Sequence, residues 1–180
     1  MEKSIDIHNP LCYTLSTVRE EPTEEKKGNK IMNKKVSIYL DMDNTIADLY
    51  AVENWLEMLE AHDPYPYQAA EPMADLRLLA RLLNKAQREG HAIGIVSWLS
   101  KSGTQEYNEE VRRAKRRWLA THLPSVDWDE VHMVRYGTPK WSVVQDQTGI
   151  LFDDEEKNRR LWRGEAYEPK DIFEVLKSLL

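Results

Sequence analysis

Cysteine is nearly absent from this sequence, and what the chain lacks excludes several classes of protein. Its 180 residues include one cysteine, Cys12, so no disulfide forms within the chain and no cysteine cluster binds zinc. No apolar run reaches the length of a membrane-spanning helix. Residues 1–10 carry charges where a secretory signal needs an apolar core. We therefore expect no membrane association and a reducing, cytoplasmic location.

Neither sign of charge is in large excess. The 25 lysines and arginines stand against 31 aspartates and glutamates, which gives a net charge of −6. This balance argues against general nucleic-acid binding, which rests on a broad excess of positive charge. Hydrophobic residues make up 41% of the chain, enough for one core. Residues 1–34 are polar and are predicted to form a mobile tail, which leaves residues 35–180 as one domain.

Short apolar runs alternate with helical patterns along residues 35–180. Buried strands are predicted at 36–40, 92–96, 131–134 and 149–152. Amphipathic helices are predicted at 47–62, 75–89, 107–123 and 171–180, and the three prolines of 63–73 break the helical pattern. This alternation predicts an α/β fold, a Rossmann-like three-layer α/β/α sandwich with a parallel central sheet. We expect the strand order 3-2-1-4, numbered along the chain.

Polar residues follow the apolar runs, at the positions where a parallel sheet binds its ligands. Ligands of open α/β sheets bind beyond the carboxyl ends of the strands. The residues found there are Asp41, Asp43, Ser97, Lys140, Asp153 and Asp154. Four carboxylates at one edge repel one another unless a cation compensates them, so the arrangement predicts a bound metal. Oxygen ligands of this kind favour Mg²⁺, which carboxylates commonly hold together with a substrate phosphate.

These residue types suit phosphoryl transfer. A carboxylate beside Mg²⁺ and Lys140 stays ionised and is able to attack phosphorus. The carboxylate two residues further on is able to hold a proton and give it to the leaving oxygen. Ser97 and Lys140 would bind the phosphoryl oxygens in the transition state. Lys101 competes with Lys140 for this role, and the turn before Lys140 favours the latter.

The ordered set of motifs resembles the haloacid dehalogenase-like phosphohydrolases. Residues 41–45 (DMDNT) match the family's DxDxT motif, and residues 95–97 (IVS) match its apolar-apolar-Ser/Thr motif. Lys140 matches the lone lysine, and residues 151–154 (LFDD) match the terminal acidic pair. The resemblance covers residues 36–180 and implies the α/β fold described above.

The resemblance also implies a role for each matching residue. Asp41 would be the nucleophile that forms an aspartyl-phosphate, and Asp43 the general acid and then the base for water. Asp43 would also give Mg²⁺ its backbone carbonyl. Ser97 and Lys140 would position the phosphoryl group, while the pair 153–154 would complete the metal site. An aspartate at position 43 separates phosphatase-like members of the family from dehalogenase-like ones.

Members of this family choose their substrates with an inserted cap. Only residues 47–74 leave room for one, so the resemblance predicts a minimal cap and an open site, which suits a large substrate or a second copy of the chain in a homodimer. The motif DMDNTIADL and the DD ending look most like the 5′-nucleotidase and deoxyribonucleotidase branch. The substrate would be a nucleotide or another small phosphorylated metabolite. Candidate substrate contacts are Asn44, Thr45 and Trp98, with Tyr65 and Tyr67 as further candidates for stacking on a nucleobase. For Trp98 and Tyr65 taken singly, core or rim packing is the favoured interpretation.

Two alternatives remain open. The open site and the basic run 112–117 (RRAKRR) would also fit a polynucleotide-end phosphatase. The run is equally typical of a solvated helix face with Glu109 paired to Arg113, and the net charge favours that interpretation. The second alternative is a non-catalytic regulator that binds a phosphorylated ligand through the same pocket. A pure binder does not need both Asp41 and Asp43, which argues against it.

Overall fold

The computed structural model describes residues 35–180, so the predicted tail at residues 1–34 lies outside the described residues. The strands are β1 (Ser37–Leu40), β2 (Ala47–Asp48), β3 (Glu71–Pro72), β4 (Ala92–Trp98), β5 (Glu130–Val134), β6 (Ile150–Phe152) and β7 (Ala166–Tyr167). The α-helices are α1 (Trp55–Glu60), α2 (Tyr65–Ala69), α3 (Leu76–Glu89), α4 (Gln105–His122), α5 (Glu156–Leu161) and α6 (Ile172–Leu179). Single 3-10 turns lie at Leu49–Ala51, Lys140–Ser142 and Pro169–Asp171. None of these helices combines the length and hydrophobicity needed to cross a bilayer.

Five strands form one parallel sheet in the order β5-β4-β1-β6-β7. The four predicted strands therefore have the expected order, and the predicted parallel α/β sheet is confirmed. The fifth strand, β7, was not predicted, because its two residues are too short to give a periodic pattern. The chain leaves β1 toward β4 and β5 and then returns to β6 on the other side of β1. This reversal beside β1 creates the crevice in which sheets of this class bind ligands.

The two faces of the sheet are covered unequally. Alternate residues of β1 point to opposite faces, as a strand requires. Ile38 and Leu40 belong to the main core cluster, which also contains Leu83 of α3, Trp118 of α4 and Leu176 of α6. The opposite face carries a small cluster, which consists of Tyr39, Val96, Val144, Leu151 and Trp162. The second helical layer is therefore thinner than the three-layer prediction implies, because a 3-10 turn and the end of α5 cover that face.

Helix α3 begins and ends where its sequence predicts. Asp75 Oδ1 accepts hydrogen bonds of 3.0 Å from the backbone N–H groups of Arg77 and Leu78, which would otherwise lack partners. Gly90 ends the helix with φ +92°, a conformation that a side chain disfavours. The second long helix, α4, was predicted at 107–123 and starts at Gln105 after the cap residue Thr104. Both helices bury their predicted apolar stripes.

The predicted helix at 47–62 is wrong in extent, since only α1 within it is helical. Its first residues form β2, which pairs with β3, and a 3-10 turn, and Asn54 at φ +56° separates them from α1. Asparagine tolerates this left-handed conformation better than most residues. The prediction that 63–73 is non-helical is also wrong in part, since α2 lies there with Pro66 in its first turn, where no N–H partner is lost. The predicted cap segment thus folds as two short helices and the two-stranded β2–β3 sheet.

Candidate functional site

The predicted site residues converge at the carboxyl edge of the parallel sheet. Asp41 directly follows β1, and its backbone N–H donates to Phe152 O at 2.9 Å. Asp153 directly follows β6, and its backbone N–H donates to Tyr167 O of β7 at 3.2 Å. Lys140 opens the 3-10 turn that comes after β5. Because hydrogen bonds between neighbouring strands fix both aspartates, the sheet itself sets the distance between them.

Lys140 bridges the first and last acidic motifs. Its Nζ lies 2.8 Å from Asp41 Oδ1 and 2.6 Å from Asp153 Oδ2, and all three side chains are buried. Burial alone would lower the pKa of Lys140, but Asp41 and Asp153 raise it above its ordinary value. Lys140 therefore carries a positive charge that compensates part of the acidic cluster. It approaches the indole of Trp98 to 5.4 Å as well.

Asp153 is held from several directions. Asn158 Nδ2 donates to its two carboxylate oxygens at 3.1 and 3.2 Å, and the backbone N–H of Glu155 donates to Oδ1 at 3.0 Å. Burial raises the pKa of Asp153 to about 6, and the neighbouring Asp41 adds to this effect while Lys140 opposes it. The carboxylate of Asp153 is fully buried, and three donors orient it: Asn158 Nδ2, the backbone N–H of Glu155 and Lys140 Nζ. Such outer contacts are typical of groups that orient metal ligands.

Asp154 lies in the same loop with a more exposed side chain. Its backbone N–H donates to Thr45 Oγ1 at 3.1 Å, which ties the last acidic motif to the first. Burial raises the pKa of Asp154 to about 7, and the charge of Asp41 contributes next. Thr45 is buried, so its hydroxyl supports the acidic loop. We had expected Thr45 to contact substrate, and that role stays a prediction.

Three carboxylates form a group that could hold a metal ion. One oxygen from each of Asp41, Asp153 and Asp154 lies within 4.8 Å of the others. Asp41 Oδ1 is buried and, although Lys140 is near, accepts no hydrogen bond of acceptable geometry. A buried carboxylate oxygen without a donor is suited to a cation. The all-oxygen donor set and the predicted backbone carbonyl of Asp43 fit a hard ion such as Mg²⁺.

Asp43 occupies a different position from the other three carboxylates. Its Oδ2 lies 2.6 Å from Lys115 Nζ, and its side chain is 24% exposed. Burial raises the pKa of Asp43, while Lys115 lowers it and Asp41 raises it. Its carboxylate is not in the three-residue group, and the predicted metal contact of Asp43 is through its backbone carbonyl. That contact stays a prediction.

Lys115, like Asn158, is a site residue that sequence reasoning missed. It is fully buried, and its Nζ donates to Asp43 Oδ2 at 2.6 Å, Ser97 Oγ at 2.9 Å and Trp98 O at 2.7 Å. The ammonium also lies 5.1 Å from the ring centre of Tyr67. One signal was available, because position 115 lies four residues after Val111 on the apolar stripe of α4. A lysine in an inward stripe indicates a buried partner, and here that partner is Asp43.

The other arginines of the basic run lie on the outer side of α4, as the alternative interpretation predicted: Arg113, Arg116 and Arg117 are exposed, and Arg112 is half-buried. Arg113 lies 3.9 Å from Glu110, and Arg112 lies 2.5 Å from Glu109. The predicted pair between Glu109 and Arg113 is therefore replaced by pairs at a spacing of three residues. The run is not one continuous basic patch, because it is divided between a buried lysine and an exposed face.

Ser97 lies beside the site but does not line the cavity in front of it. It is fully buried within β4, and its Oγ accepts the hydrogen bond from Lys115. Within the described residues, Ser97 is thus connected to the reactive groups through Lys115 and Asp43. Its predicted contact with phosphate stays a prediction.

A cavity of about 420 Å³ opens in front of Asp41 and Asp43. Its wall combines polar groups with aromatic side chains, which include Tyr50, Trp55, Tyr67, Trp98 and Tyr136. Trp98 and Tyr136 contact each other with ring centres 4.7 Å apart, as do Tyr50 and Trp55 at 4.4 Å. The helix α1 and the turn before it supply the apolar side of the cavity. The predicted cap segment therefore forms part of the wall.

The other candidate substrate contacts have distinct positions. Asn44 lines the cavity at φ +53°, and its Oδ1 accepts a hydrogen bond from Tyr50 N. Trp98 lines the cavity and donates its Nε1–H to Thr138 O at 2.7 Å. Tyr67 lines it too, whereas Tyr65 lies in a separate surface pocket. Tyr65 is therefore not a stacking residue of this site.

Comparison with known proteins gives no independent assignment. No protein-family model matches the chain, and no curated protein matches it significantly.

Proposed function

We propose that this protein is a Mg²⁺-dependent phosphomonoester hydrolase of the haloacid dehalogenase-like type, with a minimal cap and Asp41 as its nucleophile. The observation that supports it most is the position of Asp41. Its carboxylate lies 2.8 Å from Lys140 Nζ and has an oxygen within 4.8 Å of the Asp153 and Asp154 carboxylates, and it lines an open cavity. The four site carboxylates face two buried ammonium groups, so with all four ionised an excess of two negative charges remains, which suits a divalent cation.

The first step would transfer the phosphoryl group to Asp41. A carboxylate oxygen of Asp41 attacks phosphorus, and the bond between phosphorus and the leaving oxygen breaks. Asp43 gives its proton to that oxygen, which leaves as an alcohol. Burial raises the pKa of Asp43 and so favours the protonated acid that this step needs. Lys140 stays charged beside the transferred group and binds its oxygens.

The second step would release inorganic phosphate. Asp43, now ionised, takes a proton from water, and the resulting hydroxide oxygen attacks phosphorus while the bond to Asp41 breaks. Lys115 stabilises the ionised form of Asp43 at this stage, because its ammonium lies 2.6 Å away. When bound, Mg²⁺ would neutralise charge on the phosphoryl oxygens and on the ligating carboxylates. Burial thus favours the protonated form of Asp43 that the first step needs, and Lys115 favours the ionised form that the second step needs.

The cavity favours a substrate with a flat leaving group. Its aromatic wall, which includes the pairs Trp98–Tyr136 and Tyr50–Trp55, is suited to a nucleobase. A volume of about 420 Å³ is sufficient for a small metabolite of nucleotide size. A nucleotide is thus the substrate that we propose, in agreement with the resemblance to the 5′-nucleotidase and deoxyribonucleotidase branch.

A phosphoester screen tests the proposal. Purified protein is incubated with ribonucleotides, deoxyribonucleotides and sugar phosphates, with Mg²⁺ and with a chelator, and phosphate release is measured. We expect Mg²⁺-dependent release that the Asp41→Asn variant loses and the Asp127→Asn variant keeps, since Asp127 is exposed and outside the site. Equal activity of the wild type and Asp41→Asn would contradict the proposal. Tight binding without turnover on the whole panel would favour a phospho-ligand-binding regulator instead.

A further inference from the structure

A second groove continues from the catalytic cavity. It has a volume of about 510 Å³ and shares four wall residues with the cavity, namely Leu99, Ser100, Lys101 and Tyr136. Its other wall comes from the first turns of α4 and from Arg135 after β5. A molecule bound at Asp41 is therefore able to extend into this groove without leaving the protein surface.

The charge of the groove is opposite to that of the catalytic site. Three cationic side chains line it, from Lys101, Arg112 and Arg135, against one carboxylate, from Glu109. Glu109 lies 2.5 Å from Arg112, so this pair is locally neutral. Within residues 35–180, Lys101 and Arg135 have no carboxylate within ion-pair distance. Two uncompensated cations therefore remain in the groove.

The small number of cations in the groove limits the size of the anion that the groove is able to bind. Two free cations match one phosphate group, whereas binding of a polyanion uses many. The remaining arginines of the 112–117 run do not line the groove, and Arg117 donates instead to Gln68 Oε1. The basic charge near the site is therefore local, beside the rim of the catalytic cavity.

We propose that this groove binds a second, non-reacting phosphate of the substrate. This inference rests on the proposed function, because it takes the first phosphate to be at Asp41. The substrate class is then a phosphomonoester whose leaving group carries another phosphate. A nucleoside bisphosphate and the 5′-phosphorylated end of an oligonucleotide both have this chemistry.

The test compares substrates that differ in the second phosphate. Release of the 5′-phosphate by the full chain with Mg²⁺ is measured on a nucleoside 5′-monophosphate, on the 3′,5′-bisphosphate and on a 5′-phosphorylated dinucleotide. We expect a higher kcat/KM for the two substrates with a second phosphate. This preference should decline with salt, because the groove is open to solvent. If the dinucleotide is preferred over the bisphosphate, the substrate is the 5′-phosphorylated end of an oligonucleotide. If the bisphosphate is hydrolysed equally well or better, the substrate is a nucleoside bisphosphate.

The variant Arg135→Gln should remove most of this preference. Loss of one exposed ion pair corresponds to about a fivefold change, and the change should be in the KM of the doubly phosphorylated substrates alone. The matched control is Arg113→Gln, which removes an exposed arginine of α4 outside the groove. A wild type with no preference, or an Arg135→Gln variant that keeps the full preference, would overturn the inference.

Failure of the proposed function is distinguishable from failure of this inference. If the proposed function is wrong, no phosphoester is hydrolysed. Calorimetric binding of the monophosphate and the bisphosphate to Asp41→Asn with Mg²⁺ then tests the groove without turnover. Tighter binding of the bisphosphate that Arg135→Gln abolishes supports the groove, and equal binding of the two ligands refutes it.

Discussion

Replacing Lys115 by methionine tests the pairing between α4 and the first acidic motif. Methionine keeps the length of the side chain but removes three contacts of the ammonium, to Asp43 Oδ2, Ser97 Oγ and Trp98 O. The carboxylate of Asp43 loses its nearest cation. The variant therefore changes both the stability of the domain and the protonation of the proposed acid.

The effect on stability follows from burial. Removing one member of a buried ion pair costs about 3 to 5 kcal/mol. Because the side chain of Asp43 is 24% exposed, water and proton uptake offset part of this loss. We therefore expect the lower end of the range, about 3 kcal/mol, which corresponds to a Tm lowered by roughly 6 to 12 °C. The matched control is Lys85→Met on α3, whose exposed pair with Glu89 is worth about 1 kcal/mol or less.

The pH dependence separates catalysis from stability. Lys115 lowers the pKa of Asp43, so its removal raises that pKa. The proposed acid then stays protonated to higher pH, and the alkaline limb of the kcat/KM profile should move in the same direction. Thermal unfolding and the pH–rate profile together test this pairing.

A double variant tests the cause of the lost stability. If the uncompensated carboxylate of Asp43 causes it, then Asp43→Asn combined with Lys115→Met should be more stable than Lys115→Met alone. Additive losses in the double variant and an unmoved alkaline limb in the single variant would refute the reasoning. Lys115 would then be a residue of the core without influence on Asp43.

Three further predictions concern the acidic loop and the fold. The pKa values of Asp153 and Asp154, about 6 and about 7, lie above the ordinary value of 3.8, so between these values the folded state binds more protons than the unfolded state. The metal-free protein should therefore lose stability as the pH rises from about 4 to about 7. Measured by thermal unfolding, Mg²⁺ should then raise the Tm more at about pH 8 than at about pH 5, and an equal increase would contradict the metal site. The variant Asn158→Ala removes the side-chain donor to both oxygens of Asp153, so calorimetry should give roughly tenfold weaker Mg²⁺ binding. Asn84→Ala, away from the site, should bind Mg²⁺ as the wild type does. Asp75→Ala removes two capping hydrogen bonds of α3 and should cost about 1 kcal/mol in denaturant unfolding without changing Mg²⁺ affinity.

The sheet and the convergence of site residues were predictable because they depend on strong, local patterns. The runs that became β1, β4 and β6 are apolar on both faces, as the buried strands of a parallel sheet are, and the β5 run keeps apolar Val131 and Met133 on one face. Once these strands are adjacent, the residues after them meet at one edge. The positions of Asp41 and Asp153 therefore follow from the order of the strands.

The remaining features depend on contacts between distant segments. The predicted helix at 47–62 is shortened by the pairing of β2 with β3 and by the left-handed backbone of Asn54, and no periodic pattern of the segment records either feature. Strand β7 exists because Ala166 and Tyr167 pair with β6, and two residues alone give no signal. Lys115 was assigned to a basic run because its charge was counted with its neighbours and not with its position on the apolar stripe of α4.

Detection of a phosphoryl group on Asp41 tests the central claim most directly. The protein with Mg²⁺ and a radiolabelled nucleotide is quenched in acid during turnover, and the labelled peptide is identified by mass spectrometry. The account predicts label on the peptide that contains Asp41, and none in the Asp41→Asn variant or in the presence of a chelator. Continued phosphate release with no label on Asp41, or with label on another residue, would contradict it.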